Sequence, residues 1–285
     1  MIPTLLCPVR GCGTPLVREE RTFRCPRRHA FDLSRSGYCN LLQPQDRKSK
    51  NPGDPKEAVL ARRRFLEAGH GAFLAEALLE TFDALALPPR PAVLDVGCGE
   101  GFFLGTLANE REIEGSGVDL STPAIDLAAR RWPGVSWFVV NADRSLPWAE
   151  GSFDLVLSLT ARRPAAELRR VLKPEGRLLV TIPGEDDLIE LREAVLGEGI
   201  RRDRVPGVIA ELAGGFESES HRLLRHRSRL EAESLRDLLA STYRGGRGSE
   251  RQRVADLDAM DVTSSFDLLI FRPRQQAKNE KAPVP

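Results

Sequence analysis

The chain has no long apolar run, few aromatic residues and almost no net charge, and each shortage removes a class of protein. No uninterrupted apolar stretch approaches the ~18 residues needed to cross a bilayer, so no membrane-spanning helix is predicted. No charged-then-apolar leader opens the chain, which points to the cytoplasm, where cysteines stay reduced. Its five cysteines are then not a disulfide framework. Aromatic residues make up only 6% of the chain, and in its basic amino-terminal part those available for stacking are sparse. The 42 Lys and Arg nearly cancel the 41 Asp and Glu, and any attraction to a charged partner must come from uneven placement. With 41% hydrophobic and 29% charged residues, what is present is a soluble globular composition. A length of 285 residues exceeds a single domain of ~100 to 200, leaving room for a full core with something appended.

The most informative stretch runs from Val93 through Asp95, Gly97, Gly99 and Gly101 to Phe103. An apolar strand ends in an acid, and three glycines at alternate positions then let the backbone take positive φ and approach a ligand closely. A helix is predicted to begin near Phe102. The dinucleotide fingerprint G-x-G-x-x-G is not met, because the third glycine comes one residue too early. The spacing resembles motif I of the class I S-adenosylmethionine (SAM) methyltransferases. Further elements follow in order: Gly117-Val118-Asp119-Leu120-Ser121, then Val135 to Val140 running into Asn141-Ala142-Asp143, then Leu146-Pro147-Trp148, Ser152 to Ser158, Leu172 to Gly176 and Arg177 to Ile182. The acid at Asp119 lies near the ~20-residue offset at which a carboxylate accepts ribose hydroxyls. The resemblance implies an α/β, Rossmann-like fold with a seven-stranded, mostly parallel sheet. It also implies SAM held by Asp95, Gly97, Gly99, Glu100, Gly101, Phe102, Asp119, Leu120 and Asp143, the last facing the adenine amine.

Four of the five cysteines fall in the first 39 residues. Cys7-x4-Cys12, a spacer of twelve, then Cys25-x3-His29 supplies three thiolates and an imidazole at spacings suited to one structural zinc ion. The segment has few large apolar residues, so metal binding would supply folding free energy that its own core cannot. Cys39 is a spare thiol that could stand in for Cys12. Cys98, inside the glycine turn, reads as a small packing residue.

Charge is concentrated near the amino terminus. Residues 10 to 64 hold fourteen Lys or Arg against six Asp or Glu, while the remainder of the chain holds 28 against 35. Arg18, Arg21, Arg24, Arg27, Arg28 and Arg35 surround the proposed zinc site, and Arg47, Lys48, Lys50, Arg62, Arg63 and Arg64 extend the trend. A polyanion, and beside a zinc module RNA in particular, is the expected partner. With only Phe23, Phe31 and Tyr38 available there for stacking, phosphates and loop shape carry the recognition.

Over most of residues 5 to 272 the chain resembles the 23S rRNA guanine-N1 methyltransferases that modify a hairpin loop, including macrolide-resistance forms. The residues that carry this are Cys25-x3-His29-x-Phe31-Asp32, Gly37-Tyr38-x-Asn40-Leu41-Leu42, Pro52-Gly53-Asp54-x-Lys56-Glu57, Ala61-Arg62-Arg63-x-Phe65-Leu66-x-x-Gly69-His70 and Leu94-Asp95-x-Gly97-Cys98-Gly99-Glu100-Gly101. Later matches are Glu167 to Pro174, Leu188-x-Glu190-Leu191, Leu238-Leu239 and Ser265 to Leu268. The chain departs from the family at Gly71, where a tyrosine is usual, at Asp187, where a histidine is usual, and at Thr160-Ala161-Arg162-Arg163-Pro164, which replaces an aromatic-Ala-Pro segment. The resemblance implies a 23S rRNA hairpin as partner, SAM and zinc as cofactors, and allows a homodimer. No Pro-Cys pair and no Asp/Asn-Pro-Pro-aromatic motif follows the fourth strand, so neither the covalent cytosine route nor exocyclic amino methylation is supported. The catalytic residue stays unnamed at this stage, with Asp187 or another acid at the strand ends available as base. The same residues also suit a small-molecule methyltransferase, or a non-catalytic RNA-binding protein with a vestigial SAM site.

The expected organisation is a zinc-binding RNA-recognition module over 1–42, a linker over 43–60, a SAM-dependent methyltransferase domain over 61–273 and a disordered tail over 274–285. Helices are expected at Ala58 to Gly69 and Ala72 to Leu87, the second stopped by Pro88-Pro89. The stretch Asp186 to Ala259, with a helical Leu235 to Leu239 and a Gly245-Gly246-Arg247-Gly248 loop, reads as a substrate-facing insertion.

Overall fold

The computed structural model describes residues 3–46, 52–197, 199–242 and 258–274. The expected glycine loop at 245–248, the cations Arg47, Lys48 and Lys50, and nearly all of the expected tail lie outside them. A small antiparallel sheet holds β1 (Val17–Glu19), β2 (Thr22–Arg24) and β3 (Ala30–Asp32). The large sheet draws on β4 (Cys39–Asn40), β5 (Ala92–Val96), β6 (Glu114–Asp119), β7 (Ser136–Val139), β8 (Phe153–Leu159), β9 (Leu172–Pro183), β10 (Phe216–Glu231) and β11 (Ala259–Pro273). Its order is β10-β11-β9-β8-β5-β6-β7-β4. Strands β4 to β9 run parallel, and β11 is antiparallel to both β9 and β10. Chain order reverses at β5, which places the ligand crevice outside its carboxyl end.

β5 and β8 are buried along their whole length, which is why their sequences are nearly continuous apolar runs rather than alternating ones. Helices cover both faces. α2 (Ala72–Ala84), α3 (Phe102–Glu110) and α4 (Thr122–Arg131) pack Leu74, Leu104 and Ile125 against Val93 and Leu155 on one side. On the other, α5 (Ala165–Val171) and α7 (Val205–Leu212) pack Leu168 and Leu212 against Val156 and Leu178. A third cluster joins α1 (Lys56–Phe65), the π turn Leu66–His70, α6 (Ile189–Leu196) and α8 (Ala232–Thr242) through Phe65, Leu66, Leu191 and Leu235 to Leu230 of β10 and Val262 of β11. Because Pro183 at the end of β9 pairs with Phe266, and Phe266 with Leu224, Leu230 and Val262 lie beyond the carboxyl end of β9. The third cluster is therefore a cap over the crevice end of the sheet.

The structure corrects the expected strand count and the bounds of both expected helices. The sheet has eight strands rather than seven, since β4 pairs in parallel with β7 through Cys39↔Phe138 and Asn40↔Val139. The edge of β7 is open to it, and the flanking Cys39 and Leu41 are buried in the exchange. The amino-terminal segment packs onto the large sheet: Leu5, Cys7, Leu16 and Cys25 share one core with Phe138, Trp148 and Phe153, and Leu6 donates its amide to the Pro147 carbonyl. α1 begins at Lys56, within the span 43–60 expected to be linker. The first expected helix breaks into α1 and the π turn, where Gly69 has φ 93°, and the second ends at Ala84 because Leu85 turns extended before the prolines.

Candidate cofactor and metal sites

The ligand atoms of Cys7, Cys12, Cys25 and His29 all lie within 4.8 Å of one another. Cys7 Sγ and Cys25 Sγ each sit 3.4 Å from His29 Nδ1, and Cys12 Sγ is 3.8 Å from Cys25 Sγ. A tetrahedral ion with Zn–S bonds of about 2.3 Å and a Zn–N bond of about 2.0–2.1 Å demands edges of roughly 3.6–3.8 Å, so the four donors fit zinc. Two tight turns bring them together: Cys12 N donates to the Val9 carbonyl, and Arg28 N donates to the Cys25 carbonyl. Burial pushes the Cys7 thiol up to about 12, whereas the Thr14 hydroxyl beside Cys12 draws that thiol down to about 6. A divalent ion resolves the mismatch, because it deprotonates every thiol that coordinates it. Cys39 stands apart, fully buried on β4 with its thiol directed at the Phe31 carbonyl, so Cys12 completes the set.

The glycine turn after β5 folds onto β6 and Asp119. Gly97 N and Cys98 N both donate to the Val118 carbonyl, and the Asp119 carboxylate accepts from Gly99 N at 2.9 Å and Ser121 N at 2.7 Å. Each oxygen keeps a further lone pair, the acceptor capacity that a ribose diol needs. Burial raises the Asp119 pKa. Asp95 is 2% exposed, and its Oδ1 has no hydrogen-bond partner. Burial first, then the charges of Asp119 and Glu100, push its pKa up to about 8. An orphaned buried acid in a crevice is a receptor for a cation, and SAM carries both a sulfonium and an ammonium. A Cβ at Gly101, whose φ is +77°, would lie 2.5 Å from Trp137 Cη2, so only glycine brings α3 this close to the sheet.

Arg62 of α1 roofs this turn. Its Nε donates to Glu100 Oε2 at 2.7 Å, Nη1 lies 3.8 Å from Asp54, and a Cβ on Gly99 would meet Nη2 at 1.9 Å. Sequence reading missed this role and counted Arg62, Arg63 and Arg64 toward a polyanion surface. The structure turns all three inward or sideways: Arg63 donates to Glu67, and Arg64 holds the buried Asp237 of α8 with two nitrogens. The six arginines around the zinc donors remain exposed.

Of the other expected contacts, Leu120 packs at the edge of the core beside Asp119, and Phe102 opens α3 under the cap. Asp143 follows β7 and accepts from Arg162 Nη1 at 3.0 Å. Gly71 has a physical reason: a Cβ there would lie 2.5 Å from Leu66 Cδ2 and 3.1 Å from Phe102. At the far end of the crevice Asp187 accepts from Ser265 N at 2.9 Å, and burial lifts its pKa to about 6. A cavity of about 440 Å³ is lined by Thr160, Ala161, Arg163, Ile182, Glu211 and Arg204 among others, and the charge of this last residue acts on Asp187.

Known proteins resemble the chain across both of these regions. Residues 93–176 match the family model described as "Methyltransferase domain", and residues 5–50 match the zinc-ribbon model described as "RlmA, N-terminal". The 23S rRNA (guanine(748)-N(1))-methyltransferase of Streptomyces fradiae is 37% identical over 276 residues, covering 94% of this chain and 96% of that one. YxjB of Bacillus subtilis is 32% identical over 279 residues, covering 93% and 95%. By contrast, a malonyl-[acyl-carrier protein] O-methyltransferase of Halorhodospira halophila matches at 37% identity over only 134 residues, 42% of this chain. Among solved structures, the YcgJ protein of Bacillus subtilis superposes with a TM-score of 0.51 at 16% identity, over 71% of this chain and 98% of that one, a likeness of fold alone.

Proposed function

The chain belongs to the 23S rRNA (guanine-N1) methyltransferase family, and we propose on that premise that it moves the methyl group of SAM to N1 of one guanine in a 23S rRNA hairpin. The observation that carries this reading is that the likeness to the Streptomyces fradiae enzyme covers 94% of this chain, and so ribbon, cap and catalytic sheet together, whereas the likeness to the malonyl-[acyl-carrier protein] O-methyltransferase covers only 42% of it. The exposed arginines around the zinc donors give such a protein a polyanion-binding face that a small substrate would not use. The proposed setting is the cytoplasm, and among the described residues no helix is long and apolar enough to cross a membrane.

SAM, when bound, supplies a methyl group already activated by its sulfonium, so the residues' task is positioning. Asp119 would hold the ribose through its free lone pairs, and the Asp95 carboxylate would face the cationic part of the amino acid. Arg62 offers guanidinium donors not engaged by Glu100 to an incoming carboxylate. Zinc, held by Cys7, Cys12, Cys25 and His29, would stay structural, since all four positions of a tetrahedron are filled by protein. Guanine N1 must lose a proton as it gains a methyl. Asp187, with one oxygen fixed by Ser265 N and a pKa near neutrality, is the acid we assign to receive it. The test is incubation with labelled SAM and 23S rRNA from a strain lacking the endogenous enzyme, with the label mapped by nuclease digestion and mass spectrometry. Label on one guanine, lost in Asp95→Ala and Cys25→Ser, is expected; transfer only to small molecules would overturn the reading.

A further inference from the structure

β10 is the longest strand of the sheet and its outermost on one side, hydrogen-bonded only to β11. Between Ser220 and Leu230 it carries His221, Arg222, Arg225, His226, Arg227 and Arg229 and no acid. Strand periodicity divides them. Leu224 and Leu230 are buried, His226 stacks on Phe73, and Arg222 reaches Glu80 of α2, so the even-numbered residues face the helices. Arg225, Arg227 and Arg229 stand on the opposite face, about 6.6–6.8 Å apart along the strand. That spacing is comparable to the separation of successive phosphates in a nucleic-acid backbone.

The stripe also has a direction. Arg225 lies opposite Ser265 in the ladder and pairs with Asp186 at 2.7 Å, next to Asp187 and the end of β9. From there it runs outward along the cap. Arg227 and Arg229 are 67% and 65% exposed, and their nearest carboxylates, Asp261 and Glu231, are 3.5 and 3.9 Å away. Exposed pairs at such distances contribute little and leave both guanidinium groups available.

We propose that Arg225, Arg227 and Arg229 form a phosphate track that leads the RNA backbone beside the target base onto the crevice end of the sheet. The inference rests on the rRNA reading above and adds a contact surface to it. The zinc ribbon leads into β4 at one edge of the sheet and the track is β10 at the other, seven strand spacings or roughly 33 Å away, so the two basic surfaces flank the crevice. A competing role for edge arginines is to prevent sheet-to-sheet pairing.

The test is Arg227→Gln with Arg229→Gln in the full zinc-loaded chain, leaving Arg225 in place because Asp186 beneath it is nearly buried. The probe is the unmethylated 23S rRNA, with binding measured from 50 to 200 mM salt and S-adenosylhomocysteine affinity as the check on folding. Two lost phosphate contacts lower the slope of log K against log salt by about 1.4–1.8, so over this range salt weakens the wild type about tenfold more than the variant. Arg222→Gln, on the other face, should leave the slope unaltered. An unaltered slope in the double variant overturns the track; aggregation alongside it identifies an edge guard, and a change in sedimentation a contact between copies. Binding is read whether or not methyl transfer occurs. Absence of label on 23S rRNA with wild-type protein would sink the functional reading, while label with an unaltered slope would sink only the track.

Discussion

With Asp95 facing the cofactor's cation as proposed, cofactor binding is a proton-linked event. The Asp95 pKa of about 8 in the cofactor-free protein compares with ~3.9 for an unperturbed aspartate, so at pH 7 the carboxyl is about nine-tenths protonated. A cationic ligand favours the carboxylate, and the proton must leave as SAM arrives. Calorimetry at pH 7 in two buffers of different ionisation enthalpy should count about 0.9 proton released per SAM bound, and affinity should rise about tenfold from pH 6 to 7 before flattening above 8. Asp95→Asn should bind SAM more weakly at pH 8, release no proton and show a flat profile. Stability follows the same linkage. Between about pH 4 and 8 the folded chain holds a proton that the unfolded chain has lost, so the cofactor-free protein loses stability as pH rises through that window, and SAM reverses the trend. Affinity that does not change between pH 6 and 8, or the wild-type slope surviving in Asp95→Asn, would refute the account of Asp95 as the acid that meets the cation.

Other outcomes follow from the geometry. Metal analysis of the purified protein should find one zinc per chain, and chelation or Cys25→Ser should lower the melting temperature of the whole protein in one transition, because the ribbon shares the core of the large sheet. Gly101→Ala places a Cβ 2.5 Å from Trp137 in a backbone region that alanine resists; a loss of roughly 1–3 kcal/mol by denaturant titration is expected, together with weaker SAM binding. Asp187→Asn should cost about 10²–10⁴ in kcat and abolish an acid limb near pH 6 in the wild-type rate profile, since the carboxylate must be ionised to take a proton; an unaltered limb would remove Asp187 from the mechanism.

The parts of this molecule that were legible in its sequence are those where backbone or metal geometry restricts the residue type. Gly97, Gly99 and Gly101 all take positive φ, and Asp119 caps the turn they make, so this turn left a direct mark on the chain. The zinc donors left another, and geometry alone separated Cys12 from Cys39. Arg62 was illegible, because three consecutive arginines carry no sign of direction until α1 is packed; one then roofs the crevice, one joins Glu67 and one ties down α8. β10 was hidden for a different reason. An edge strand with only Phe216, Leu224 and Leu230 buried in sixteen residues shows no period of two. β4 is only two residues long, and its place depends on a free edge contributed by a strand nearly a hundred residues away.

The pairing of β4 with β7 has a consequence for how a substrate is chosen. A ribbon tethered by a flexible hinge could grip a hairpin at any height and let the target base find its own way to the methyl donor. Here the ribbon is stitched into the sheet through Cys39↔Phe138 and Asn40↔Val139, so the offset between grip and crevice is built in units of strand spacing. The protein is then a fixed-span gauge. For the hairpin substrate proposed above, acceptance would then depend on a stem length that brings one loop base to the crevice, and a stem longer or shorter by a base pair would present the wrong base or none.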